Sequence, residues 1–497
     1  MKKFTDNHKW WVIIGTALVI VAIGTGIFFY HNFFRQTNAK LIETVPPEVS
    51  FIFQINDNET FVKKSSTLLP YLNELFATDA VAGFEYFVDK FPTKNPKIII
   101  SGHQTADKTV LLFSTKIDER TFRELLSTLR IDPRNYISFE DAKIYTYGTH
   151  FKRFNFTYQN NIFSASEKIE LLKKSMVQLR HPRNMLSNKD FMHLYKMVEK
   201  NEKQNWLIIN SRQYFANIPD KLASQYKQNF NIDKSLSSWS AFQINLSDNE
   251  LKLTGFSLDD GTFFQKFDEQ PAAKGTPSFL MPLNCNYYIS FRIPDNKQFI
   301  KQYSENNSAA SSPAINQYKA LNPSATYYFS LTDDSIAYHY LIAKVDTNSI
   351  KTTTLLGANQ TPDSIIYYSK NSIYKSNLTD FNNLLSSFHH KASLRYFIQK
   401  EGYYIFSDSP VSLEYYIKSL ATGTIDNNQQ YKFSKSGLPT ESNYEVFFYS
   451  EKPETISQYF IESETTSNVV KGLSVFSLSF SAPQDGLVPT YVYLKFR

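Results

Sequence analysis

The chain is expected to be an α+β protein: an N-terminal transmembrane helix followed by two homologous halves, each a largely antiparallel sheet with packed helices. Three observations lead there. Trp10 to Tyr30 carries no charged residue, and in a helix such a stretch rises about 31 Å, enough to cross a bilayer core. Beyond it, short runs of strict apolar/polar alternation recur between turn residues, the mark of strands with one face on a core. Between those runs, apolar residues return at spacings of three and four, as Phe122, Leu125, Leu126 and Leu129 do, which marks amphipathic helices.

In chain order, residues 1–9 form a cytoplasmic N-terminus, because Lys2, Lys3 and Lys9 precede the span while Arg35 and Lys40 alone follow closely. Residues 10–30 are the transmembrane signal anchor. The apolar run is too long for a cleaved signal peptide and no cysteine follows it for a lipid. Trp10, Trp11 and Phe28 to Tyr30 suit the two interfacial belts. Gly15, Ala22 and Gly26 line one helix face and would admit a second helix. Residues 31–40 are a juxtamembrane linker, and the first strand is expected at about Val49.

The two halves, 41–268 and 276–497, rest on segments that match in the same order. Phe51, Phe53 and Ile55 alternate before Asp57-Asn58, as Tyr287, Ile289, Phe291 and Ile293 do before Asp295-Asn296. Asn95-Pro96 precedes strands at Ile98 to Ser101 and Thr109 to Phe113; Asn322-Pro323 precedes Thr326 to Leu331 and Ile336 to Ile342. Ile162-Phe163-Ser164-Ala165-Ser166 and Ile405-Phe406-Ser407-Asp408-Ser409 each lead into a helix, and their serines are expected as N-caps. Ser240 to Ser247 and Ser474 to Ser481 alternate alike. The connector between the halves holds Pro271, Gly275 and Pro277. Helices are expected over Glu59 to Phe76, Asp118 to Leu129, Glu167 to Leu179, Thr379 to Phe388 and Ser409 to Leu420.

Composition bounds the function. Across 497 residues, 42% are hydrophobic and 20% charged, a globular balance, and a net charge of +6 does not suggest nucleic acid. Cys285 is the one cysteine, so no intrachain disulfide can form.

The strand after Pro46, the Ile-Phe-Ser-x-Ser helix start, and Ser238-Trp239-Ser240 leading to Leu253-Thr254-Gly255-Phe256 resemble the bacterial envelope family catalogued as domain of unknown function 3352. The resemblance implies a membrane-anchored Gram-negative envelope protein and carries no catalytic residue across.

No motif assigns chemistry, so no catalytic, cofactor or metal residue is named. His389-His390 fits a polar helix end better than a ligand pair, and His103, His150, His181, His193 and His339 lack ligand spacing. Cys285 reads as a small buried hydrophobe, and Asp259-Asp260 and Asp333-Asp334 as turn residues. The basic segment Lys168 to Lys203 reads as a solvated helix face rather than a docking surface for anionic lipid or an acidic partner. The expectation is an inner-membrane protein with its bulk in the periplasm, binding or scaffolding a protein or other envelope partner. The alternative is an envelope hydrolase acting on glycan or peptide between the halves.

Overall fold

The computed structural model describes residues 39–57, 96–105, 109–148, 153–181, 184–215, 237–261, 263–275, 277–306, 313–333, 336–345, 365–368, 370–376, 378, 394–450 and 472–497, with isolated positions at 61, 63, 64, 68 and 71. The stretch 10–30 and the expected helices at Thr379 to Phe388 and, apart from those isolated positions, Glu59 to Phe76 lie outside the described residues. The chain divides into two compact units, Met1–Asn58 with Thr78–Met192, and Glu59–Ala77 with His193–Arg497.

The first unit is an antiparallel sheet of β1 (Phe51–Ile55), β2 (Ile98–Gln104), β3 (Thr109–Lys116), β4 (Ile137–Phe139), β5 (Ala142–Gly148), β6 (Arg153–Gln159) and β7 (Ile162–Ser166), hydrogen-bonded in the order β1-β2-β3-β7-β6-β5-β4. β2 and β3 are buried along nearly their whole length, so they read as apolar runs rather than alternations. Asn160 and Asn161 both take positive φ in the β6–β7 turn, as a two-residue hairpin requires. Gly102 leaves room for the Phe51 ring, from which a Cβ there would lie 2.2 Å, so a larger residue would have to displace that ring. Helix α1 (Glu119–Thr128) starts where Asp118 accepts a bond from the Thr121 amide at 2.7 Å, and its Phe122 stacks on Tyr158. Helix α2 (Ile169–Arg180) buries Leu171, Leu172, Met176 and Leu179. The incoming chain is part of this core: Ala39, Ile42, Val45 and Val49 are all buried.

After α3 (Lys189–Lys200), the second unit opens with β8 (Trp206–Asn210), α4 (Ser211–Phe215), β9 (Trp239–Ser247) and β10 (Glu250–Leu258). A short β11 (Ala273–Lys274) precedes β12 (Tyr287–Arg292), the helices α5 (Asn296–Asn306) and α6 (Pro313–Leu321), β13 (Pro323–Asp333), β14 (Ile336–Val345), β15 (Ile366–Tyr368), β16 (Asn371–Lys375), β17 (Tyr396–Lys400) and β18 (Tyr403–Ser407). Then come α7 (Pro410–Ala421), α8 (Gln429–Ser436), β19 (Glu441–Ser442), β20 (Tyr444–Tyr449), β21 (Leu473–Phe480) and β22 (Leu487–Phe496). The order across the sheet is β8-β9-β10-β22-β21-β20-β12-β13-β14-β18-β17-β16-β15, antiparallel throughout, and β11 pairs with β19 as a separate ribbon. One face of β12 puts Ile289 and Phe291 into a core with Phe267, Phe299 and Phe480. The other face puts Tyr288 into a second core with Tyr340, Tyr416 and Phe447.

The expected α+β class, with two halves each owning a sheet, is overturned, while the leading membrane helix expected over residues 10–30 lies outside the described residues. Among the described residues antiparallel sheet dominates, at 44% strand against 29% helix, and no helix there is long and apolar enough to cross a membrane. The physical reason is that the helices are short and serve as connectors and covers, while strand pairing continues where a break was expected. Glu250–Leu258 of β10 pairs with Leu487–Lys495 of β22, so strands from the expected first half extend the sheet of the second. The Pro- and Gly-bearing connector is itself anchored, since Gln270 bonds the Asp295 backbone through both its amide atoms at 2.9 and 3.0 Å.

Candidate functional site

The most highly charged buried constellation lies in the second unit, where β20 sets Glu445 opposite Ser290 of β12. Alternation places Tyr288, Ser290 and Arg292 on the same face as Glu445. Arg292 Nη2 donates to Glu445 Oε2 at 2.9 Å, and the Tyr288 hydroxyl and Lys435 Nζ both donate to Oε1. Nη1 of Arg292 also donates to Ser442 Oγ at 3.0 Å and to the carbonyls of Ser442 and Ala273 at 3.0 and 3.2 Å, so the β11–β19 ribbon caps the guanidinium. Lys435 comes from α8 and lies 5.5 Å above the Tyr431 ring. The side chains of Arg292 and Glu445 are 2% and 4% exposed.

Burial by itself would raise the Glu445 carboxyl, but the charges of Lys435 and Arg292 and the hydrogen bonds from Lys435 and Tyr288 outweigh it and hold the group below its usual range. Burial lowers the Lys435 ammonium, countered in part by Glu445. A carboxylate whose two oxygens already take three donors is a poor base. Its strength is positional: it ties β12, β20 and α8 together.

The first unit holds a neutral counterpart. Ser101 and His103 stand two apart on β2, with Ser101 Oγ 2.9 Å from His103 Nε2 and His103 Nδ1 3.0 Å from the Glu48 carbonyl. That carbonyl can only accept, so Nδ1 carries the proton and Nε2 accepts from Ser101. Burial pushes the imidazole down to about 4, against smaller opposing effects of the Glu48 hydrogen bond and charge. The spacing is that of a nucleophile and its base, but Ser101 is fully buried and His103 nearly so. No substrate reaches the hydroxyl in this structure.

The serines singled out in the sequence are structural, in two different ways. Ser409 caps α7, accepting from the Ser412 amide at 3.2 Å, and Pro410 occupies the first helical turn. Ser407 donates to the His339 carbonyl at 2.8 Å. Ser166 does not stand at the N-cap position: it ends β7, donates to the Leu111 carbonyl at 2.8 Å and accepts from the Lys168 amide at 3.3 Å, while Lys168, the N-cap residue, makes no side-chain cap bond of its own. Ser164 joins a buried hydroxyl chain through Ser114 to Thr44, each step 3.0 Å.

His389, His390, His150 and Asp334 lie outside the described residues. Among the described ones no group of three His, Cys, Asp or Glu could hold a metal. His339 bonds the Tyr328 hydroxyl at 2.7 Å and His193 the Asp485 carbonyl at 3.2 Å. Cys285 precedes β12 rather than lying in it, and burial pushes its thiol up to about 12. Asp259 is pushed up to about 6 by burial first and by neighbouring Asp268 and Asp260 next. Asp260 accepts from the Ser238 amide at 2.8 Å.

No family model matches the chain, and no curated protein matches it. Among solved structures, two crystal forms of TP0453 match at 11% and 9% identity, covering 77% of this chain and 98% and 99% of theirs, each at a TM-score of 0.21. A likeness at that TM-score carries no argument.

Proposed function

We propose that this is a membrane-anchored protein of the bacterial envelope whose exported sheets bind or scaffold another envelope component without catalysing a reaction. The observation that carries the reading is the fate of the chemically able side chains. Glu445 is saturated by Arg292, Lys435 and Tyr288, and the Ser101–His103 pair is sealed inside its sheet. In this reading residues 10–30 hold the protein in the inner membrane with the bulk in the periplasm, in keeping with the family resemblance, and Gly15, Ala22 and Gly26 offer a face for a second membrane helix. The rival reading, a hydrolase, is favoured by the 2.9 Å Ser101–His103 contact.

The test replaces the parent gene product with Ser101→Ala or His103→Gln. A binding protein keeps its cellular role in either variant so long as the variant folds, and protease added outside the inner membrane digests everything beyond about Lys40. A stably folded Ser101→Ala protein that has lost its role would promote the hydrolase, and bulk protein released in soluble form would defeat the anchor.

A further inference from the structure

The segment that brings the chain into the first unit, residues 39–49, lies across the sheet as a strap. Ala39 packs on Ile162 of β7 and on Leu179 of α2. Thr44, which ends the 3-10 turn Leu41–Thr44, meets Ser114 Oγ of β3 at 3.0 Å. Further on, the Glu48 carbonyl takes the imidazole proton of His103 on β2 at 3.0 Å. Register and alternation put Ile162, Ser114, Ser101 and His103 on one face, so the strap crosses β7, β3 and β2 in that order. Ile42, Val45 and Val49 are buried along it, whereas Pro47 and Glu48 are exposed. At His103 the strap is thus a single layer between the ring and water.

Of these three contacts, only the imidazole can gain a charge. A protonated ring could keep both its hydrogen bonds, Nδ1 donating to Glu48 as before and Nε2 now donating to a turned Ser101 hydroxyl. What acid adds is therefore a charge in a site without water to solvate it. The charged groups that act on the ring are the Glu48 carboxylate on the strap and Lys174 on α2, which pair with each other at 3.7 Å and are both exposed; from β3 the ring faces Val110. We propose that residues 39–49 are an acid-sensitive strap, which a proton on His103 drives off the sheet because lifting it is the shortest way to bring water to the imidazolium. The buried Ile42, Val45 and Val49 keep the closed form dominant, and acid sets how often it lifts. With the strap open His103 has its ordinary 6.5 against about 4 when closed, so the open fraction rises about 30-fold between pH 7.5 and pH 5. Each lifting frees up to about 36 Å of chain at 3.3 Å per residue. The device is independent of how residues 1–38 are placed.

The test is hydrogen exchange of the full chain at pH 7.5 and pH 5 over a series of low urea concentrations, read as protection factors for residues 39–49 and for β3. The Val45 amide, bonded to the Ile42 carbonyl at 3.2 Å, reports on the strap. A separate strap opening predicts weaker protection there than in β3, a smaller urea slope, and a further loss of about 30-fold at pH 5. His103→Gln keeps a donor toward Glu48 without titrating and should abolish that loss. A second variant leaves the imidazole in place: Thr44→Cys with Ser114→Cys, at positions whose side-chain oxygens are 3.0 Å apart, should form a disulfide that raises the strap's protection at pH 5 to that of β3, and reduction should restore the difference. Protection and urea slope in the parent strap that match β3, or protection that is the same at both pH values, would overturn the proposal. An acid loss that survives in folded His103→Gln, or in the oxidised double-cysteine protein, would overturn it equally.

Discussion

Strands β1 to β7 and strands β12 to β18 follow the same hydrogen-bonding order within their own units, β1-β2-β3-β7-β6-β5-β4 against β12-β13-β14-β18-β17-β16-β15, yet the polar groups buried in them differ in kind. Aligning Phe53 of β1 with Phe291 of β12 sets Gln54 where the second unit has Arg292. By the registers with β2 and β13, Ser101 then corresponds to Tyr327 and His103 to Phe329. One path is locked by a neutral imidazole between a hydroxyl and a carbonyl, the other by ions. A shared backbone course thus leaves open which polar chemistry secures it, and the two solutions respond oppositely to substitution and to acid.

The largest difference should appear on removing one partner. Glu445→Ala leaves Arg292 buried and Lys435 half-buried without their carboxylate, and breaking a buried pair from one side costs about 3–5 kcal/mol. Replacing the buried pair by apolar groups, as in Arg292→Met with Glu445→Leu, should cost less, because the fully buried guanidinium goes with the carboxylate and only Lys435, 29% exposed, is left to turn to water. Urea unfolding followed in the second unit checks this. Equal losses in the single and double variants would show that the shape of the cluster, rather than its charge, holds β12 to β20.

Acid should separate the units next. The folded pKa of His103 is depressed to about 4 from an ordinary 6.5, so the unfolded chain binds a proton before the folded one does. Its contribution is therefore intact above 6.5 and lost as pH falls through 6.5 toward 4. At pH 5 the loss is about 2 kcal/mol. Glu445 moves the other way: held below the usual carboxylate range, it keeps its ion pairs at pH 5. Hydrogen exchange at pH 7 and pH 5 should show the first unit loosening while β12 and β20 stay protected, and His103→Gln should flatten the first unit's response. A first unit that loosens at pH 5 as much in the variant as in the parent would remove His103 as the cause.

Much of this sheet was legible because its signals are local. Alternation located β1, β9, β12 and β21, and the Phe122-to-Leu129 spacing placed α1 within a residue. The positions of α2 and α7 were also readable. What could not be read was pairing at a distance. Nothing local tells β10 that β22, more than two hundred residues later, is its neighbour, and Pro271 and Gly275 looked like a break because a turn and a linker use the same residues. The Arg292–Glu445 pair was missed for the same reason, its members standing 153 residues apart. Its one signal was an ionisable residue inside an otherwise apolar strand, as at Tyr444-Glu445-Val446, which demands a buried partner.

The smallest effect discriminates best between the two ways in which a serine precedes a helix. Ser409 and Ser166 occupy matching places in sequence, yet Ser409 caps α7 whereas Ser166 bonds the Leu111 carbonyl of β3. Losing a cap costs about 0.5–2 kcal/mol, and losing an ordinary buried hydrogen bond about 0.5–1.5 kcal/mol, so global stability alone will hardly tell Ser409→Ala from Ser166→Ala. The location of the damage will. In Ser409→Ala the Ser412 amide loses its acceptor, and faster hydrogen exchange should be confined to the first turn of α7. In Ser166→Ala the α2 amides lose little, because their helix starts at Lys168 without a side-chain cap bond; the loss falls on the β3–β7 contact instead, and exchange should rise along Leu112–Thr115. Faster exchange in the first turn of α2 would mean that Ser166 supports the helix after all, through the 3.3 Å bond from the Lys168 amide, and that the two serines do one job by different geometry.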